Sequence, residues 1–284
     1  MEHFNWYPGH MKKATDQIRK SLKLVDLVAE VIDARIPLSS RNPVIDTLLE
    51  KTPHLLLLNK KDLADPRESD RWEEFYRSLG MEVLKIDSLH GNITRDIEEA
   101  SRHLLQDVFH KRQEKNIENT KMRMMIVGIP NVGKSTLINR IANRRVTQVG
   151  NRPGVTKQNQ WIKTKGDFEL LDTPGILWPK FEDKKTGLHL ALLGSIKDEI
   201  MDVQDLAFEL IKILQKSYPQ VILNRYGVDP EGKGTLEIMD EIALKRGAIL
   251  RGHEVDYQRV SSMLLDEFRK GALGRITLET VDHV

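Results

Sequence analysis

The chain has 284 residues, of which 39% are hydrophobic and 30% charged, and its formal net charge is +2. This balance is that of an ordinary globular protein and gives no sign, by itself, of a polyanionic partner. The absence of cysteine excludes disulfide bonds, thiolate nucleophiles and zinc–thiolate sites. The length suits two domains of about 100 to 200 residues each.

The start of the chain, MEHFNWYPGHMKKATD, is too polar for a secretory signal, and no apolar run approaches the roughly 18 residues that span a bilayer. We therefore expect a cytoplasmic protein without a membrane partner. Residues 10–23 have apolar side chains at helical spacing, which predicts a helix whose other face is basic. The apolar positions are Met11, Ala14, Ile18 and Leu22.

Three short apolar runs follow, LVAEVIDA, HLLLLN and EVLKID, separated by polar or helical stretches. Their length and branched side chains predict buried parallel strands. Residues 92–109 then have the pattern of one helix. The charged stretch at 110–121 is predicted to be a solvated helix end or a linker between two halves of the chain.

The second half alternates again, with MRMMIVG as a strand, residues 134–143 as a helix, and QNQWIKTK and FELLD as strands. This alternation predicts a doubly wound α/β domain with a mostly parallel sheet over residues 1–180. Beyond it, apolar stripes at helical spacing predict a small all-helical domain over residues 181–284. The helices predicted at 235–246 and 255–270 are each followed by a glycine, Gly247 and Gly271.

The segment GIPNVGKS at 128–135 matches the pattern of a phosphate-binding loop, between a predicted strand and a predicted helix. Lys134 is expected to reach the β and γ phosphate oxygens, and Ser135 to ligate Mg²⁺. The alternative is a glycine turn before an ordinary helix. The predicted nucleotide contacts of the loop are Asn131, Val132, Gly133, Lys134, Ser135 and Thr136.

The segment LLDTPG ends a second apolar strand. Asp172 is expected to hold the Mg²⁺ shell, and the backbone N–H of Gly175 to contact the γ-phosphate. Taken alone, DTPG is equally consistent with a turn. Its occurrence together with the phosphate loop favours the nucleotide site.

NKKD, at 59–62, ends the strand HLLLLN and predicts a guanine-binding segment formed by Asn59, Lys60 and Asp62. The Asp62 carboxylate can accept hydrogen bonds from the N1–H and amino group of guanine, which adenine does not offer in that pattern. By itself NKKD is a weak match that a solvated charged turn also explains. The next strand leads to Ser88 and Leu89, which we expect to support the base.

In this chain the guanine-binding segment precedes the phosphate loop, whereas it normally follows it. Ligand loops of a parallel sheet all lie at its carboxyl edge, so permuting the strands preserves the site.

These motifs resemble those of the circularly permuted GTPases, and the resemblance covers essentially the whole chain. It rests on WYPGHM, DARIPLSSRNP, NKKD, GIPNVGKS, NRPGVT and DTPGIL. The resemblance implies hydrolysis of GTP to GDP and phosphate, with Thr156 as the switch threonine that closes on Mg²⁺. It also implies that the helical tail contacts ribosomal RNA and that the protein acts in late assembly of the large ribosomal subunit, with its precursor particle as partner.

Two local features refine the expected mechanism. Many GTPases place a water-orienting glutamine after D-x-x-G, but this chain has Ile176, whose alkyl side chain cannot position water. His10 is our candidate for that role, although it also fits a helix start or an RNA contact. We expect His10 to act with Lys134, Thr156 and Gly175 in catalysis. Asn131 resembles the asparagine that helps ligate K⁺ in potassium-dependent relatives, although a plain loop asparagine is the alternative.

Basic side chains occur in two local groups that suit RNA phosphates. One group lies on the first helix and the other around the switch segment: Lys12, Lys13, Arg19, Lys20 and Lys23, then Arg140, Arg144, Arg145, Arg152 and Lys157. Residues 181–284 instead have 14 lysine and arginine residues against 18 acidic ones, a net charge of −4. The tail therefore departs from a simple RNA-binding domain, although KRGAILRGH and RKGALGR are small basic patches.

We expect the protein to be monomeric when free. Two other functions remain open from the sequence: an ATPase or small-molecule kinase with the same phosphate loop, and a nucleotide-gated binding module in which turnover is incidental.

Overall fold

The structure, a computed structural model, describes residues 16–49, 52–117, 121–147, 159–175, 183–196 and 201–283. Within these ranges, six strands form one sheet in the order β3-β2-β1-β4-β6-β5. The strands are β1 (Leu27–Asp33), β2 (His54–Asn59), β3 (Glu82–Lys85), β4 (Met122–Val127), β5 (Gln160–Lys163) and β6 (Phe168–Asp172). All neighbours are parallel except β5, which pairs antiparallel with β6. The predicted mostly parallel, doubly wound sheet is confirmed.

Residues 16–22 are helical and belong to the predicted first helix. The helices that follow are α1 (Pro43–Leu49), α2 (Pro66–Ser78), α3 (Ile93–Leu104), α4 (Gln106–Glu114), α5 (Lys134–Ala142), α6 (Lys184–Leu192), α7 (Val203–Ser217), α8 (Pro219–Tyr226), α9 (Thr235–Arg246) and α10 (Tyr257–Arg269). None of the helices in the described part of the chain is long and apolar enough to cross a membrane.

The prediction of a single helix over 92–109 is wrong, because the chain forms two helices, α3 and α4, that meet at Leu105. The Leu105 side chain is completely buried, and its backbone N–H contacts the carbonyls of Ser101 and Arg102. Its backbone angles, φ −102° and ψ 12°, depart from those of an α-helix. A continuous apolar pattern therefore conceals a bend that brings a leucine into the core.

The sheet is covered on both faces, which explains the continuous apolar runs of its strands. Leu27, Ala29 and Val31 of β1 point to the larger cluster, which includes residues of α3 and α5. Val28 and Ile32 point to the other face, where helix 16–22, α1 and α2 pack. The larger cluster also includes buried residues of α6 to α10, so the sheet and the C-terminal helices share a continuous apolar core.

The C-terminal part is helical, as predicted, but it contains a helix that the sequence analysis missed. The Tyr218–Pro219 pair ends α7, and Pro219 then serves as the first residue of α8. Proline is favoured at that position because the first N–H groups of a helix have no intrahelical partner. Because proline was interpreted only as the end of α7, the start of α8 at the same residue was not predicted.

After α10 the chain returns to the sheet and holds the loop that follows β1. The backbone N–H of Leu278 donates to the carbonyl of Arg35 at 2.8 Å. The Glu279 carboxylate accepts from the backbone N–H groups of Leu38 at 2.7 Å and Ser39 at 3.1 Å. The C-terminal segment thereby fixes a loop located at the carboxyl edge of the sheet.

Candidate functional site

The carboxyl edge of the sheet brings together the polar segments that the sequence analysis singled out. Strand β2 ends at Asn59, β6 ends at Asp172, and β4 leads directly into the loop that begins at Gly128. The segment containing Ser88 follows β3. Although these segments are far apart in the sequence, parallel strands place them at one edge.

The side chain of Asn59 connects three of these segments directly. Its Nδ2 donates to the carbonyl of Val132 in the phosphate loop at 2.8 Å. Its Oδ1 accepts from the backbone N–H of Ser88 at 3.1 Å and from the Ser88 hydroxyl at 2.8 Å. Asn59 is 1% exposed, so water does not compete for these bonds. Its contacts give it a positioning role, in which it holds the phosphate loop against the loop predicted to support the base.

Two glycines permit the close approach of the phosphate loop to its neighbours. Gly128 has φ 147°, and Gly133 has φ 101°, a region that side chains disfavour. A Cβ added at Gly128 would collide with the carbonyl oxygen of Val31, and one at Gly133 with the Asn59 amide. The loop thus leads into the amino end of α5, where backbone N–H groups and the helix dipole favour an anion.

Lys134, the first residue of α5, has a buried ammonium group. Its Nζ donates to the carbonyls of Gly128 at 3.0 Å and Ile129 at 2.8 Å. Burial lowers the pKa of Lys134 to about 8, although the negative charge of Asp172 opposes this shift. A desolvated ammonium at the amino end of a helix is suited to bind phosphate oxygens, which would replace the weaker carbonyl acceptors.

The oxygen donors predicted for Mg²⁺ lie on the elements next to Lys134. Ser135 is on the first turn of α5, and the buried Asp172 ends β6. A hydroxyl and a carboxylate are hard oxygen donors, so this set fits Mg²⁺. Gly175 lies against the same loop, since an added Cβ would stand 2.9 Å from the nitrogen of Pro130 and 3.1 Å from the Lys134 Nζ.

The guanine-binding segment departs from regular backbone at Lys60, which has φ 60°. The Lys60 Nζ donates to the carbonyl of Asn131 in the phosphate loop at 2.6 Å. Asp62 is half-buried, and its negative charge favours the charged form of Lys60. Leu89 is 63% exposed, which leaves an apolar surface beside the buried Ser88.

Two charged residues near this segment were not assigned a role in the sequence analysis. Asp33 ends β1, and its Oδ2 lies 2.9 Å from the Nζ of Lys60. Arg35 binds both oxygens of the same carboxylate at 2.9 Å. The motif DARIP contains both residues, but local sequence gives no sign that they contact Lys60.

Asn131 occupies a left-handed backbone position in the phosphate loop, with φ 64°. Its Nδ2 donates to the carbonyl of Gly194, which follows α6. The predicted K⁺ ligand therefore also connects the phosphate loop to the helical part of the chain.

Several predicted residues lie outside the described ranges. They are His10, Lys12, Lys13, Arg152, Thr156, Lys157 and Ile176. Their predicted roles stay predictions, whereas the contacts above bring Asn59, Lys60 and Ser88 together with the phosphate loop at the carboxyl edge of the sheet.

Comparisons with known proteins show which proteins the chain resembles over most of its length. A family described as "50S ribosome-binding GTPase" matches residues 123–228. The chain is 45% identical over 275 residues to "Ribosome biogenesis GTPase A" of Priestia megaterium, covering 96% of each chain. It is similar to two solved structures of the Thermotoga maritima protein YlqF, one described as GDP-bound and the other as GNP-bound. Each is 26% identical and covers 94% of this chain, with TM-scores of 0.66 and 0.65 and coverage of 99% and 98% of YlqF, respectively.

Proposed function

The chain belongs to the ribosome biogenesis GTPase A family, and on that premise we propose that it acts in late assembly of the large ribosomal subunit. It is a GTP hydrolase with a circularly permuted GTPase fold. The observation that best supports this site is the pair of hydrogen bonds by which the Asn59 side chain joins the phosphate loop to Ser88, although these segments are far apart in the sequence. We assign residues 1–180 to the GTPase domain and 181–284 to a helical, ribosome-contacting domain.

Each part of GTP has a proposed protein partner. Asp62 accepts hydrogen bonds from guanine, with Ser88 and Leu89 beside the base and Lys60 behind it. The phosphate loop from Asn131 to Thr136 surrounds the phosphates through its backbone N–H groups. The Lys134 ammonium neutralises charge that develops on the phosphate oxygens, and Gly175 donates its backbone N–H to the γ-phosphate.

Mg²⁺ is the proposed divalent cofactor; Ser135 and Asp172 would hold it, and Thr156 would be a further ligand in the GTP-bound protein. When bound, the ion supplies positive charge to the β and γ phosphate oxygens. The protein residues would orient the phosphates for attack by water.

K⁺ is the proposed second cation, with Asn131 as a ligand. The amide nitrogen of Asn131 donates to Gly194, so the amide oxygen is the atom that would bind K⁺. A monovalent cation beside the phosphates would add positive charge where the transition state gains negative charge.

The proposed macromolecular partner is the precursor of the large ribosomal subunit and its RNA. Arg19, Lys20 and Lys23 are exposed on and just after helix 16–22, while Ile18 of that helix is buried. Because the apolar side of this helix is buried and the basic side is exposed, the basic side can contact RNA phosphates. We propose that the protein is monomeric when free and works in the cytoplasm, where such particles assemble in bacteria.

Asp62→Asn tests the guanine site. We expect weaker GTP binding and a shift of preference toward xanthosine triphosphate, because an amide can donate a hydrogen bond where the carboxylate only accepts. Binding of both nucleotides is measured by titration calorimetry, with Asp70→Asn on the exposed face of α2 as the matched control. Unchanged GTP affinity in Asp62→Asn would remove this residue from the base site.

The K⁺ proposal predicts faster GTP hydrolysis in potassium chloride than in sodium chloride at equal ionic strength. Asn131→Ala should abolish the difference, because it removes the proposed ligand oxygen. The ratio of single-turnover rates in the two salts is the measurement, and it is insensitive to a general loss of activity. Asn116→Ala, at another left-handed position, is the control. Equal rates in both salts for the parent protein would contradict the proposal.

The absence of a glutamine at Ile176 predicts slow hydrolysis by the isolated protein, since positioning and charge stabilisation supply nearly all catalysis of phosphoryl transfer. We propose that RNA contacts to the basic first helix bring His10 to the attacking water. Large-subunit particles should then strongly stimulate hydrolysis, and His10→Ala should lose most of that stimulation while retaining GTP and particle binding.

Single-turnover rates with and without particles measure this effect, with His3→Ala as the control from the same segment. Full stimulation of His10→Ala would mean that the particle or another protein group positions the water.

A further inference from the structure

The Asp33 carboxylate lies at the centre of a buried ionic group that joins the guanine-binding segment to the loop after β1. Asp33 and Arg35 are each 2% exposed. The carboxylate accepts from Arg35 through Nε and Nη2, both at 2.9 Å, and its Oδ2 is 2.9 Å from the Lys60 Nζ. One buried anion therefore orients two cations, the buried Arg35 guanidinium and the ammonium of Lys60, whose side chain is 24% exposed.

The charges of this group explain why Asp33 stays ionised. Burial raises the pKa of the Asp33 carboxyl, but the charges of Arg35 and Lys60 outweigh burial and hold the pKa below its ordinary value. Burial lowers the pKa of Lys60, and the Asp33 charge opposes that shift. Removing any one of the three would leave the others as desolvated, incompletely paired groups, which is costly.

Arg35, one of the two cations of this group, contacts the carboxyl end of α10. Nη1 of Arg35 lies 3.4 Å from the carbonyl of Phe268 and 3.3 Å from that of Arg269, at the carboxyl end of α10. Its guanidinium also lies over the Phe268 ring, 5.6 Å from the centroid. The single negative charge of Asp33 cannot balance both cations. The carboxyl end of a helix carries partial negative charge, so the end of α10 balances part of the remaining positive charge.

The carboxyl end of α10 is in turn connected to the phosphate loop by a separate route. Nε and Nη2 of Arg269 donate to the carbonyls of Leu192 and Ala191 at the end of α6, both at 2.9 Å. Gly194, just beyond, accepts from Asn131. The ends of α6 and α10 thus contact the nucleotide site both through Lys60 and through the phosphate loop.

Lys60 is the residue on which this arrangement acts. Its left-handed backbone is unfavourable for a lysine and is maintained by the surrounding contacts. Its ammonium is fixed by Asp33 on one side and by the carbonyl of Asn131 on the other. Weakening the Asp33 contact therefore loosens the segment that carries Asp62.

We propose that Asp33 and Arg35 are positioning residues that couple the guanine-binding segment to the carboxyl end of α10, so that the seating of the C-terminal helices sets how long a guanine nucleotide stays bound. This inference rests on the proposed function. It implies that a partner that displaces the end of α10 accelerates nucleotide release without acting on the hydrolysis step.

Arg35→Lys tests the connection. Lysine keeps the positive charge beside Asp33, but one ammonium cannot bind both carboxylate oxygens and also reach the two carbonyls of α10. GDP dissociation should accelerate by at least about tenfold, as expected for the loss of hydrogen bonds to a charged group. The single-turnover rate of hydrolysis at saturating GTP should stay within about twofold of the parent value, which a general structural defect would not spare.

Arg41→Lys is the matched control, because Arg41 also joins two carboxylates, Glu30 and Asp46, and lies over an aromatic ring, that of Tyr76. Because the carboxylate partners of Arg41 are not those of Lys60, we expect GDP dissociation from Arg41→Lys within about twofold of the parent protein. Equal dissociation rates in Arg35→Lys, Arg41→Lys and the parent would contradict the inference.

A double-mutant cycle adds a test that does not depend on Arg35. Asp33→Asn and Lys60→Met should each accelerate GDP dissociation, and the acceleration in the double variant should be smaller than the product of the two single effects, because both changes remove the contact between Asp33 and Lys60. Independent, multiplying effects would contradict the positioning role. Failure of the parent protein to bind GDP would instead contradict the proposed function, and the inference with it. Circular dichroism and thermal unfolding identify variants that have lost the fold.

Discussion

The Asn59 side chain provides the constraint on which the nucleotide site depends. It is buried, and its amide bonds both to the phosphate loop and to the segment after β3. A longer side chain would not fit, because Gly133 already has no space for a Cβ beside this amide. The spacing between the predicted base and phosphate contacts is therefore fixed by one side chain and by the strand neighbours β2, β1 and β4.

This constraint explains how a permuted chain retains a working site. The loops at the carboxyl edge are brought together by which strands are neighbours in the sheet. The order in which the chain connects those strands can change without moving the loops. After β6, which ends at the carboxyl edge of the sheet, the chain leads to α6 and the later helices. Those helices share an apolar core with the sheet, and the proposed coupling between α10 and the guanine-binding segment depends on this packing.

The sequence predicts well what depends on local pattern. Strands β2 and β4 are mostly apolar runs, and NKKD and GIPNVGKS begin where these two strands end, so their common edge follows from the rules for parallel sheets. The break at Leu105 and the start of α8 at Pro219 were missed, because they depend on how the neighbouring elements pack. The contact of Arg35 with Phe268 joins residues 233 positions apart, and no local pattern reports it. The positioning roles of Asn59 and Asp33 are likewise visible only in the folded chain.

The most direct test of this account is the affinity of Asn59→Ala for GDP, measured by titration calorimetry on protein shown to be folded. Alanine leaves the Val132 carbonyl and the Ser88 donors without their amide partner, at a cost of about 1 to 3 kcal/mol for each buried group. The account predicts that the dissociation constant rises by at least about a hundredfold, since phosphate and base contacts are both displaced. A folded Asn59→Ala protein whose affinity stays within about threefold of the parent value would contradict it.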